Sequence, residues 1–184
     1  MVRAIAVALM AAFLAAGCTA GRDGVPIMFE QSSSDPRHVG AATRMRVDPH
    51  TGVNTVFGPE VVFYNGMDIH SFRLRGWIDP RHPEIHNRFQ IVVRARFPRR
   101  VYLKQAYAGG ERVRTTLIDA ERVCGGGCIW HETVAIPLTE DEIERLANTG
   151  FLFEIVGRRE NVVVRVPAGH LDGFLAAFRR YRDG

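Results

Sequence analysis

The chain has 184 residues, of which 46% are hydrophobic and 24% charged. These values exclude a disordered chain, a collagen-like repeat and a protein of many membrane spans, and the length fits one domain with or without a tail. The formal net charge is +4, and of the 24 basic residues only Lys104 is a lysine.

Arg3 is the only charge ahead of an unbroken apolar run, Ala4 to Ala16. That run is too short to cross a hydrocarbon core, which takes roughly 20 residues. A basic start, a short apolar centre and a small-residue exit describe a secretory signal peptide over residues 1–17. The exit reads Leu14-Ala15-Ala16-Gly17-Cys18-Thr19 and resembles the lipobox of bacterial lipoproteins, where small residues precede a Cys, usually with Leu three positions upstream. Here Ala15 holds that place and Leu14 lies one step earlier. The resemblance implies cleavage after Gly17, diacylglycerol on the Cys18 thiol and acylation of the new amino terminus. Several acyl chains, at about 0.8 kcal/mol per buried methylene, hold a protein stably on a bilayer. Thr19 after the Cys implies sorting to the outer membrane, with the chain facing the periplasm.

Residues 18–40 are read as the lipidated Cys and a flexible tether, because Gly21, Gly24, Ser32-Ser33-Ser34 and Asp35-Pro36 break any apolar period. A single domain is then expected over residues 41–184. Met45 and Val47 alternate with Arg residues, and Asp48-Pro49-His50-Thr51-Gly52 is turn chemistry before Val53–Phe57. A strand is expected at Glu60–Tyr64. Next, Phe72, Leu74, Gly76 and Ile78 share one face, while Arg73, Arg75 and Trp77 share the other. In the clearest strand, Phe89, Ile91, Val93, Ala95 and Phe97 oppose Arg88, Gln90, Arg94 and Arg96. Further strands are expected at Val101–Tyr107, Arg112–Ile118 and Ile129–Ile136. Thr139 with Glu142 forms a capping box for a helix over 140–149 that stops at Gly150. Phe151–Val156 and Val162–Val166 pair as a hairpin. After Pro167 an amphipathic helix spans 169–181, with Leu171, Phe174, Leu175 and Phe178 as its stripe. Strands followed by helices make an α+β domain, mainly antiparallel sheet or sandwich.

Cys124 and Cys128 bracket Gly125-Gly126-Gly127. A three-residue hairpin loop sets them opposite each other at disulfide distance, and export places them in an oxidising compartment. The competing reading is a metal or redox site of both thiolates with His131, although the spacing is not that of redox helices or zinc knuckles. His82 and His86 flank Pro83, which spoils a helical two-His face. No nucleophile elbow and no phosphate-binding glycine loop occurs. Ser71 follows His70 without an assignable partner, and Asp141 and Glu142 suit a helix's first turn better than catalysis. Arg73, Arg75, Arg94 and Arg96 line outward strand faces as a candidate contact for anionic lipid headgroups; no nucleic-acid motif accompanies them. Arg179, Arg180 and Arg182 sit at a helix end that favours cations. Removal of residues 1–17 takes Arg3 and leaves a net charge of +3.

The Cys pair followed by Glu132, and the late strand running through Pro167 into Gly173-Phe174-Leu175, resemble those of small bacterial envelope proteins. That resemblance implies no activity. The expectation is a non-enzymatic lipoprotein module of the cell envelope, needing no cofactor. Its partners are the membrane, through the anchor, and an envelope protein. An enzymatic or metal-handling domain using Cys124, Cys128 and His131 stands beside it.

Overall fold

A computed structural model describes residues 34–66, 68–82 and 88–184. The expected signal peptide, Cys18 and most of the tether lie outside these residues, as does the segment from Pro83 to His86. The first element is a short helix, α1 (Pro36–Ala42), with Pro36 at its first position and the Asp35 carboxylate accepting from the Arg37 N–H. This corrects the tether boundary. Val39 is fully buried, so the packed domain begins several residues before position 41.

Four strands follow: β1 (Arg44–Val47), β2 (Asn54–Phe57), β3 (Val61–Asn65) and β4 (Asp68–Ile78). β1 and β2 form the expected hairpin, closed by Asp48 accepting from the His50 N–H. The alternation in β1 does not mark a core face. β1 is the sheet's outermost strand, and Met45 and Val47 are exposed. β2 and β3 lie end to end along one edge of β4, and β5 (Arg88–Phe97) takes its other edge.

The chain then leaves this sheet. Residues 98–104 cross irregularly to β6 (Gln105–Ala108) and β7 (Glu111–Val113), where a strand from Val101 was expected. It returns as β8 (Thr116–Cys124) and β9 (Cys128–Leu138), which pair with each other and, through β9, with β5. The expected single strand over 112–118 is thus split, because its two halves belong to different sheets. After α2 (Glu140–Thr149), capped by the Thr139–Glu142 box as read, come β10 (Phe151–Val156), β11 (Asn161–Val166) and α3 (Ala168–Asp183). The sheets are β1-β2-β4-β5-β9-β8, with β3 also on β4, and β11-β10-β6-β7. All the described pairings are antiparallel. The fold is α+β, as expected.

The larger sheet turns Phe72, Leu74, Ile91, Val93 and Ile136 inward against Phe153, Ile155, Val162 and Val164 of the smaller sheet. α3 closes the same core with the stripe read from sequence: Leu171, Phe174, Leu175 and Phe178. Gly76 makes room for it, since a Cβ there would lie 2.8 Å from the Phe178 ring. Gly173 does the same for α1, whose Pro36 carbonyl oxygen would sit 2.3 Å from a Cβ. The main core cluster lies on one side of the larger sheet; on the other side Val92 and Ala135 are buried near the middle, while Arg73, Arg94 and Arg96 are exposed.

Candidate functional site

The open side of the larger sheet carries the four arginines singled out from sequence. Register puts Ser71, Arg94 and Thr133 in one cross-strand row and Arg73, Val92 and Ala135 in the next, with Arg75 beside Gln90. The four do not act alike. Arg94 reaches Glu121 of β8 at 2.7 Å, with both side chains about half exposed, a pair worth at most about 1 kcal/mol. Arg96 lies opposite His131. Burial, together with Arg94 and Arg96, lowers the His131 pKa.

Arg73 and Arg75 sit differently. Arg73 lies 5.2 Å from the centre of the Phe57 ring, and Arg46 of β1 lies 5.7 Å from the same ring. Arg75 stacks 4.9 Å from the Trp77 ring and donates through Nε and Nη2 to the Gln90 amide oxygen at 2.9 and 2.6 Å. Burial and the neighbouring Arg73 lower the Arg75 pKa. Among the described residues no carboxylate lies within ion-pair distance of Arg46, Arg73 or Arg75. This corner is a basic and aromatic patch; the Arg94 corner is largely neutralised.

Cys124 and Cys128 occupy facing positions, as their spacing predicts, with Cα atoms 4.1 Å apart and the sulfurs bonded. So small a ring contributes about 2 kcal/mol on the chain-entropy account, and it clips an exposed hairpin. The residues of the metal alternative are placed as follows. Both sulfurs are committed to each other, and His131 lies three residues along β9, roughly 10 Å away, opposite Glu121. Among the described residues no group of three or more His, Cys, Asp or Glu side chains is poised to hold a metal ion.

A second arginine cluster was not anticipated. It is built around the crossover at 98–104. Glu132 has the inward parity of Val134 and Ile136, so its carboxylate is buried. Unpaired, such a charge is costly. Here one oxygen accepts from the Val101 and Tyr102 N–H groups at 2.6 and 2.9 Å, and the other from the Leu103 N–H at 2.7 Å. With three backbone donors, Glu132 is a clamp on the crossover. The clamp holds Tyr102 at φ +61°, a left-handed conformation costing about 1 kcal/mol or more for a residue with a Cβ.

Tyr102 then meets two cations: Arg100 lies 4.6 Å and Arg158 5.0 Å from its ring centre. Arg100 also lies 5.2 Å from the Trp130 ring. Arg158 belongs to the β10–β11 turn, which is tied to the crossover by Arg158 N–H to the Val101 carbonyl at 2.8 Å and Lys104 N–H to the Val156 carbonyl at 3.1 Å. The sequence held two signals for this cluster: an acidic residue at a core parity position, and the paired doublets Arg99-Arg100 and Arg158-Arg159. Only the fold shows that the doublets meet.

His70, likewise at core parity, is buried between Phe63 and Phe97 with ring centres 5.5 and 5.3 Å away. Its Nδ1 accepts from the Arg96 N–H at 3.2 Å. Burial pushes its pKa down to about 4. Among the described residues no helix is long and apolar enough to cross a membrane. Comparison with protein-family models, with curated proteins and with solved structures finds no match for this chain.

Proposed function

We propose that this protein is a lipid-anchored, periplasm-facing module of the bacterial envelope that docks its arginine face on anionic headgroups and catalyses no reaction. The anchor rests on the Arg3–Cys18 pattern of the sequence. The docking rests on one observation: the cluster of Arg46, Phe57, Arg73, Arg75 and Trp77 on an exposed sheet face, with no carboxylate within ion-pair distance of the three arginines among the described residues. A guanidinium that spends its flat face on an aromatic ring keeps N–H donors for an anion; in Arg75, whose Nε and Nη2 serve Gln90, the Nη1 donors are the ones left. Near a negatively charged bilayer each Arg is worth about 1 kcal/mol.

The test measures binding of residues 19–184, without the anchor, to vesicles containing phosphatidylglycerol. Arg73→Glu/Arg75→Glu is expected to weaken binding by roughly 30-fold, since at least about 2 kcal/mol is lost, and added salt is expected to weaken the wild type. Binding that survives the double substitution refutes the face. In-cell crosslinking that finds a protein seated on Arg73 and Trp77 replaces the headgroup with that protein. The anchor has its own test: a Cys18→Ala chain that still incorporates labelled fatty acid refutes lipidation.

A further inference from the structure

We infer that the crossover and the β10–β11 turn form a second, discrete site, in which Arg100 and Arg158 present their guanidinium edges to a phosphate-bearing ligand. Both cations lie within 5.0 Å of the Tyr102 ring centre, so they are no further apart than twice that distance. Two like charges on one ring repel, and each exposed cation–aromatic contact returns only about 0.5 to 1 kcal/mol. Stability alone is a poor reason for the arrangement.

The acidic neighbours do not neutralise it. The ion pair seen here is Arg99 with Glu160 at 3.5 Å, and neither Arg100 nor Arg158 has a carboxylate within ion-pair distance among the described residues. The Nε of Arg100 is buried without a hydrogen-bond partner. An approaching anion supplies the ion-pair partner that both cations lack, while the buried Arg100 Nε helps to fix the side chain's position rather than to contact the ligand. The geometry is also fixed in advance, by three N–H bonds to Glu132 and by the backbone bonds that tie the two loops together. Such preorganisation lowers the ordering cost of binding.

The chemistry favours phosphate. Its tetrahedral oxygens can accept from two guanidinium forks at once, where a carboxylate fills one. The Tyr102 ring is already engaged by two cations, so the group recognised is the anion and not a stacked base. The site is distinct from the open face. Trp130 shares the inward parity of Glu132, and it pairs with Phe97 at the far end of β5 from Trp77, roughly 30 Å along the strand.

The test uses the full chain in non-ionic detergent. Trp77→Phe leaves Trp130 as the fluorescent tryptophan, because the chain has two, and Trp130 contacts Arg100 directly. Its emission is titrated with inorganic pyrophosphate and, separately, with dihexanoyl phosphatidic acid, at ionic strength fixed with sodium chloride. Saturable binding is expected. Arg100→Gln and Arg158→Gln should each weaken it by about tenfold or more, and Arg158→Lys, which keeps the charge but loses the fork, should weaken it too. Arg145→Gln on α2, outside both arginine clusters, should change it less than about twofold. Equal binding of both probes identifies the phosphate group as what is read. Binding of the lipid alone assigns the site to a membrane headgroup, and binding of pyrophosphate alone to a soluble ligand. No saturation with either probe, or an equal loss in Arg145→Gln, overturns the site. Should Arg100→Gln fail to fold, Arg158→Gln in the exposed turn carries the same test.

Discussion

The open face of the larger sheet and the crossover at residues 98–104 both gather arginines against aromatic rings, by opposite means. On the open face the grouping follows from local rules. Residues two apart on a strand share a side, and antiparallel register brings Arg73 and Arg75 of β4 beside Phe57 of β2 and Gln90 of β5. At the crossover nothing repeats. Arg100 and Arg158 are far apart in sequence and meet because Glu132, from a third segment, pins the loop that carries Tyr102. The open face is therefore a surface that tolerates change, whereas the crossover has a single keystone.

Removing that keystone should separate the two regions most sharply. Glu132→Ala leaves the Val101, Tyr102 and Leu103 N–H groups without their acceptor in a buried place. A loss of about 4 kcal/mol is expected, or a fall in Tm of roughly 10 to 15 °C for a domain of this size. Thermal unfolding followed by circular dichroism measures it. A fall below about 3 °C would show that the loop holds itself and that Glu132 is incidental.

What could be read from sequence divides along the same line. The faces of β4 and β5, the capped helix α2, the stripe of α3 and the Cys124–Cys128 facing pair all come from periods and caps that span a few residues. The misses come from tertiary context. Met45 and Val47 alternate as core residues do, but β1 is the last strand of its sheet and has nothing to pack on. Val101 and Leu103 are apolar and buried, which mimics a strand, yet their N–H groups serve Glu132 and not a ladder. α1 is too short to show an apolar period, and it packs because Gly173 lets it lie close on α3. The sequence spacing of Cys124, Cys128 and His131 also hides a separation, because strand geometry carries His131 away from a pair of sulfurs that a tight loop brings together.

An intermediate effect is expected from His70, which sits where β3, β4 and β5 meet between the two regions. Its pKa is lowered to about 4 in the folded chain, against about 6.5 when unfolded. Below pH 6.5 the unfolded chain takes up a proton that the folded chain refuses. The stabilisation is therefore complete above pH 6.5 and is lost as pH falls toward 4, up to about 3 kcal/mol in all. His70→Asn keeps an acceptor for the Arg96 N–H but does not titrate. The stability gap between wild type and this variant, from denaturant titrations at pH 7.5 and 4.5, should narrow by about 2 to 3 kcal/mol at the lower pH. A gap that stays constant would mean that water reaches the imidazole despite its flanking rings.

The smallest effect is expected on the open face, and its smallness is the point. Arg73→Ala removes one cation from Phe57, a loss of about 0.5 to 1 kcal/mol at an exposed site. It also removes a charge that acts against Arg75, whose pKa is lowered partly by Arg73. The two changes have opposite sign, so the net change in unfolding free energy should stay within about 0.5 kcal/mol. A loss above about 1.5 kcal/mol in denaturant titration would make the stack a structural element and remove the reason to see a docking surface in it. A neutral result has the opposite meaning. Like charges held side by side without return in stability represent interaction free energy not satisfied within the chain, and an anionic surface arriving at Arg46, Arg73 and Arg75 is the change that satisfies it.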